Sequence, residues 1–193
     1  MTTSIAASVV PNRVLGGLGV LGGAVLLAAF VVGVPGDINT IRLVLFNLGA
    51  IAVALASLRY RPTTSRLVRG VTSLTVIANA WYLVMVVLSL GRPAPPLPDP
   101  EFRLVVFYAG LAMWLSDAAF GFVTLRVAGL TRWGAIALGV GSLLAILGMS
   151  HLQLTSPANP TIFGPLSLIG IALNGIGWIL LGGDLALRDR ARG

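Results

Sequence analysis

Six apolar segments, separated by arginines, prolines and short polar runs, divide this chain from end to end. They cover residues 14–34, 38–58, 71–90, 104–125, 134–154 and 162–183. A helix needs roughly 17–25 mostly apolar residues to cross the ~30 Å hydrocarbon core of a bilayer. The first, third, fourth and sixth segments have that length outright. The second and fifth are strictly apolar only over 43–58 and 134–149, and reach it by taking in 38–42 and 150–154. Inside lipid every backbone N–H and C=O must be satisfied within the protein, and apolar segments of this length do so as α-helices. The pattern predicts an all-α membrane protein, a six-transmembrane-helix bundle in one membrane domain over 1–193, with a short basic tail over 184–193.

Composition closes the soluble alternative. Hydrophobic residues make up 56% of the chain and charged residues 10%, against about 25% charged in a typical soluble domain. So few charges cannot cover so much apolar surface in water, and lipid removes the need. Residues 1–13 followed by an apolar run resemble a secretion signal at first reading. The run exceeds the roughly 7–15 residues of a signal core and ends in no small-residue cleavage pattern, so it is expected to be an uncleaved first span.

Arginine placement sets the expected orientation. All 13 basic residues are arginine. Ten fall on one side of the six-span scheme: Arg13, then Arg59, Arg61, Arg66 and Arg69, then Arg126 and Arg132, then Arg188, Arg190 and Arg192. Only Arg42, Arg92 and Arg103 fall on the other. Basic residues concentrate on the cytoplasmic side of a membrane protein, so both termini are expected in the cytoplasm. The arginines sit at helix ends instead of clustering on a soluble surface. That points to anionic lipid headgroups as partners and away from nucleic acid. The 91–100 connection holds Pro93, Pro95, Pro96, Pro98 and Pro100 and is expected to be stiff and extended. Each odd segment starts near an arginine and ends before a proline, which fits either three stacked helical hairpins or the punctuation that any alternating multi-pass chain shows.

Much chemistry is excluded by inventory. Without cysteine there is no disulfide, thiol nucleophile, thiolate metal site or iron–sulfur cluster. The lone His151 cannot ligate a haem from both sides, and scattered carboxylates around it have no metal-ligand spacing. The absence of lysine removes imine chemistry. No cofactor and no metal are expected.

Small residues recur at helical spacing, as they do where transmembrane helices touch. The stripes are Gly16, Gly19 and Gly23; Asn47, Ala50, Ala54 and Ser57; Ala137, Gly141, Ala145 and Gly148; and Ser167, Gly170, Asn174 and Gly177. Each stripe fits internal bundle packing. The first also fits a docking face for a partner membrane protein. Among the aromatics, Trp133 reads as an interfacial belt residue, and Trp81, Tyr82, Trp114 and Trp178 read as core filling.

Asp117 is the most informative side chain. It lies at mid-depth in the fourth segment, where a charged carboxylate costs at least ~2.5–3.5 kcal/mol on insertion scales. Its helical stripe, Gly110, Met113, Asp117, Gly121 and Thr124, carries small residues and reads as a helix interface. Asn79 and Asn174 lie at similar depth, and Thr72, Thr75, Asn79 and Tyr82 share one side of the third segment. A polar midplane cluster of Asp117, Asn79, Asn174 and Tyr82 is therefore expected. It is either a proton or small-solute site, or a hydrogen-bond network that fixes helix register.

Enzymatic readings find little support. A serine–histidine intramembrane protease would need His151 opposite a serine on another helix. Ser142 is on the same segment, ~13 Å away along a helix, and the Gly-x-Ser-Gly motif is missing. Gly182-Gly-Asp184 lacks the first glycine of a Gly-x-Gly-Asp protease motif. Asn159-Pro-Thr161 matches half of an aquaporin filter without a second copy. The expectation is a non-enzymatic multi-pass protein with a structural or accessory role. The alternative is a small-solute or ion transporter, or the substrate-binding membrane subunit of one.

The stretches Asn79-Ala-Trp-Tyr-Leu-Val-Met-Val-Val87, Trp114-Leu-Ser-Asp-Ala-Ala-Phe-Gly121, Asn159-Pro-Thr-Ile-Phe-Gly-Pro165 and Asn174-Gly-Ile-Gly-Trp-Ile-Leu-Leu181 resemble those of six-span membrane proteins of high-GC bacteria. That resemblance covers nearly the whole chain and implies a fold but no activity. In size and topology the chain is also similar to the substrate-binding components of energy-coupling vitamin transporters, without any vitamin-specific motif.

Overall fold

A computed structural model describes residues 11–32, 36–59, 66–89, 100–126, 130–155 and 165–190. These form six α-helices, and no strand occurs among them: α1 (Asn12–Val32), α2 (Gly36–Arg59), α3 (Arg66–Ser89), α4 (Pro100–Thr124), α5 (Arg132–Thr155) and α6 (Pro165–Arg190). Their starts follow ordinary helix chemistry. Pro100 and Pro165 occupy first positions, where the missing N–H is no loss, and Glu101 sits in the first turn of α4, where its charge complements the helix dipole. Pro11 precedes α1, and its carbonyl accepts from the Val14 and Leu15 N–H groups at 3.0 and 3.3 Å.

The helix ends depart most from the expected segments in two places. α3 begins at Arg66, five residues before the apolar run, because Arg66-Leu-Val-Arg69 continues the helical pattern with good helix formers. α6 runs to Arg190, so residues 184–190 are helix, not tail. Leu185-Ala-Leu-Arg188 offers no breaker, and Leu185 is buried. Three described stretches, Arg66–Leu88, Leu104–Thr124 and Leu166–Leu187, are long and apolar enough to cross a membrane. Three shorter apolar stretches, Asn12–Ala28, Ile41–Ser57 and Arg132–Gly148, lie on α1, α2 and α5.

The helices form a ring. Each packs on its neighbour in sequence, α6 closes the circle on α1, and α6 also touches α2. Pairs along the ring are antiparallel, as the contacts of their glycines show. On α1, Gly22 faces Leu45 and Gly49 of α2, while Gly49 faces Leu18. Gly16 of α1 meets Gly182 and Ala186 of α6, and Gly23 meets Gly175 and Ile179. Gly134, Gly141 and Gly148 of α5 meet α6 near Leu181, Asn174 and Ser167 in turn. The antiparallel pairs α1–α2, α3–α4 and α5–α6 are all present. They do not stand apart as three hairpins, because α6 packs on α1 more extensively than α3 packs on α4.

The α1 stripe is consumed inside the bundle. Gly16, Gly19 and Gly23 are all buried against α6 and, at Gly19, against Val53 of α2. The expected partner-docking face is corrected accordingly: this chain's own helices already occupy it. The next residue behaves oppositely. A Cβ at Gly17 would meet nothing within 4 Å, whereas one at Gly16 would run into the backbone of Gly182 and Ala186. Gly16→Leu should therefore abolish a monodisperse peak in detergent gel filtration while Gly17→Leu leaves it unchanged. Equal behaviour of the two variants would contradict the α1–α6 register.

Side chains on the outside of the ring are large and apolar. Leu48, Leu74, Ile77, Leu115, Leu147 and Ile169 are all exposed. The interior is filled by Phe46, Met113, Trp114, Phe120, Leu138 and Trp178. Trp178 stacks on Phe120 with ring centroids 5.6 Å apart, and Phe46 and Trp114 lie 6.5 Å apart, tilted. Trp133 is 76% exposed, as a belt residue should be. Trp81 is 41% exposed and is not a core residue as expected. It is two positions beyond Asn79, which the helical period turns to the opposite side of α3.

Candidate functional site: a sealed midplane carboxyl

Asp117 is completely buried, as are Asn79 on α3, Asn174 on α6 and Ser142 on α5. Four of the six helices therefore contribute polar side chains to one locus. Asn79 Nδ2 donates to Asp117 Oδ1 at 2.9 Å and to the Thr75 backbone carbonyl at 3.0 Å. A backbone carbonyl can only accept, so this second bond fixes which end of the Asn79 amide faces the carboxyl group. Asn174 Nδ2 reaches Asp117 Oδ2 at 3.5 Å and donates to Ser142 Oγ at 2.9 Å. Ser142 in turn donates to the Leu138 carbonyl at 2.7 Å. The result is a chain of hydrogen bonds running α3–α4–α6–α5 across the ring. Close by, the Thr75 hydroxyl approaches the carbonyls of Val71 (3.0 Å) and Ser116 (3.1 Å), its single proton serving both and tying α3 to the α4 backbone.

Local structure accounts for the convergence. Thr72, Thr75 and Asn79 repeat at three to four residues and share the inner face of α3, while Met113, Asp117, Gly121 and Thr124 do the same on α4. Gly121 lets α4 close on Ala135 and Gly139 of α5. Gly141 and Gly170 bring α5 and α6 together beside Asn174. Other interior hydroxyls, and the Asn47 amide N–H, donate to carbonyls of their own helices. Thr72 donates to Val68 O, Ser116 to Met113 O, Thr124 to Gly121 O and Asn47 to Leu43 O, all at 2.7–2.8 Å.

Of the expected cluster, Asp117, Asn79 and Asn174 come together and Tyr82 does not. The Tyr82 ring lies over Gly110, seven residues from Asp117 along α4, and takes no part in the hydrogen bonds of the cluster. The antiparallel register explains this: residues beyond Asn79 on α3 face earlier residues on α4, and Tyr82 meets α4 about two turns before Asp117. Ser142 and Trp178 take its place. Trp178 is four residues from Asn174 on the same face of α6, a spacing that marks it as a neighbour. Its indole N–H approaches the Asp117 carboxyl group without completing a hydrogen bond within normal limits. Ser142 accepts from Asn174 and is committed as a donor to its own helix. The His151 side chain and the Asn159-Pro-Thr161 stretch lie outside the described residues.

Three buried polar atoms around the carboxyl group have no hydrogen-bond partner: Asn79 Oδ1, Asn174 Oδ1 and Trp178 Nε1. Among the described residues, no three His, Asp or Glu side chains group together as a metal site would need. The chain matches no protein-family model, no curated protein and no solved structure in the three comparisons made.

Proposed function

We propose that this chain is a six-span integral membrane protein of the bacterial cytoplasmic membrane, with both termini inside and a non-enzymatic structural or accessory role. The observation that carries the role is the enclosure of Asp117. The one carboxyl group at mid-depth is fully buried and held by amides from α3 and α6, an arrangement that locks helix register instead of presenting a reactive group. Helix lengths support six spans. The shortest helix, α1, has 21 residues, and a helix of that length is about 31 Å long, enough for the hydrocarbon core. The apolar outer face is the surface that lipid accepts and water does not.

Topology tests the membrane reading directly. The chain has no cysteine, so single cysteines can be introduced and probed in intact cells with a membrane-impermeant thiol reagent. Asp37→Cys, Pro96→Cys and Pro157→Cys should label, and Thr63→Cys and Gly129→Cys should not. Labelling at Thr63→Cys or Gly129→Cys would sink the six-span arrangement. If α2 failed to insert, Asp37→Cys and Thr63→Cys would report from the same side.

A second reading, a small-solute or ion site at the same locus, draws on the unpartnered Asn79 Oδ1 and Asn174 Oδ1. It predicts a rise in melting temperature on adding the right ion or solute, abolished by Asp117→Asn. A screen of monovalent cations and small solutes with no such rise would leave the register lock as the role of Asp117.

A further inference from the structure

Between the first turns of α1 and the last turns of α6 lies an open groove of about 370 Å³, lined by Arg13, Val14, Gly17, Ala186 and Leu187. We propose that it binds one anionic phospholipid, with the phosphate on Arg13 and the start of an acyl chain along Val14, Gly17 and Leu187. This rests on the membrane reading above.

The groove follows from the α1–α6 contact. Gly16 is pressed against Gly182 and Ala186, which draws the helices together on that side. Gly17 then faces outward, and with nothing within 4 Å of where its Cβ would be, it leaves a slot that any larger residue would fill. Val14 and Leu187 are exposed apolar walls. Arg13 is exposed and, among the described residues, is the one charged side chain of the lining. Asp184, on the next turn of α6, is half-buried and outside the lining.

The chemistry fits one occupant. A guanidinium forms paired hydrogen bonds to phosphate oxygens, and the apolar wall below it suits hydrocarbon. A free phosphate would use Arg13 and leave the wall in contact with nothing. The groove also lies at the end of the bundle where exposed Arg66, Arg69, Arg126 and Arg132 gather. That is the level of the headgroups and the side where anionic lipids accumulate.

Native mass spectrometry of the detergent-purified full chain tests the site, with phosphatidylglycerol or phosphatidylcholine added at equal concentration. The wild type should retain one phosphatidylglycerol about fivefold better than phosphatidylcholine, the scale of one arginine near a charged surface. Arg13→Gln should erase that preference. Gly17→Leu should lower retention of both lipids by filling the slot, with the melting temperature unchanged. Arg132→Gln, at the same end but outside the groove, should behave as wild type. Equal retention of the two lipids by the wild type overturns the site. So does undiminished preference in Arg13→Gln, or a loss in Arg132→Gln as large as in Arg13→Gln. Recovery of a monodisperse protein without detergent would instead overturn the membrane reading itself.

Discussion

Gly141→Leu is expected to abolish the native bundle, leaving no monodisperse species in mild detergent. Gly141 stands where α5 and α6 approach backbone to backbone. A Cβ there would sit 2.5 Å from the Asn174 nitrogen, 2.7 Å from the Gly170 carbonyl oxygen and 2.8 Å from the Leu173 Cβ. Two of those three atoms are backbone, so no rotamer change can make room. Overpacking in a well-packed core typically costs ~1–3 kcal/mol when side chains can shift. Here the helix itself must move, and Gly148 and Gly177 on either side hold the same two helices at the same close distance. Gly141→Ala carries the smallest version of the clash and should lower the melting temperature clearly while still yielding folded protein. Gly70→Leu is the matching control, since its Cβ would meet nothing within 4 Å. A Gly141→Leu protein that melts like wild type would show that α5 and α6 do not pack in this register.

The second large effect belongs to Asp117, and it separates two substitutions of similar size. Asp117→Leu removes the acceptor for one N–H of Asn79 and one of Asn174. Asn79 cannot turn away, because its other N–H is committed to the Thr75 carbonyl. A buried donor left unpaired costs about 1–3 kcal/mol in proteins at large, and single interhelical hydrogen bonds in membranes average nearer ~0.6 kcal/mol. A loss of about 2 kcal/mol follows for the pair. Asp117→Asn should be nearly neutral. Its carbonyl oxygen can take the Asn79 N–H, and its amide N–H can meet the Asn174 oxygen once that amide turns over and accepts the Ser142 hydroxyl. Unfolding in a denaturing detergent should therefore rank wild type and Asp117→Asn together, with Asp117→Leu well below. A leucine variant as stable as wild type would remove the register lock. An asparagine variant that is stable but loses a ligand-induced rise in melting temperature would move Asp117 from packing to binding.

How much of this was legible in the sequence depends on what kind of signal each residue leaves. Asp117, Asn79 and Asn174 could be grouped beforehand because polar residues at mid-depth in apolar segments have few places to go, and three helices that each carry one must bring them together. Tyr82 was grouped wrongly because depth along a segment does not give the register between two helices. That register depends on where the backbones touch, as at Thr75 with Ser116 and Tyr82 with Gly110. The place of Ser142 and Trp178 in the cluster is not legible in the sequence for a related reason. Each looks ordinary on its own helix and acquires a role only beside Asn174 or Asp117. The glycine stripe of α1 was read correctly as a contact surface, but a stripe does not name its partner.

The sequence by itself determined the all-helical class, the six apolar segments and the excluded chemistry, because these rest on composition and on the local rule that backbone polar groups in an apolar segment are satisfied within a helix. Residue spacing alone likewise determined which face of each helix would carry small and polar side chains. Only the tertiary structure decided how the ring closes: that α6 seats on α1 over Gly16, Gly19 and Gly23, that Trp81 points outward, and that the Asp117 carboxyl group is met by Asn79 and Asn174 but not by Tyr82. The physical reason is that hydrocarbon exerts no preference between one apolar helix face and another. The choice of neighbour and register then falls to close backbone approach and to a few hydrogen bonds between residues far apart in the chain.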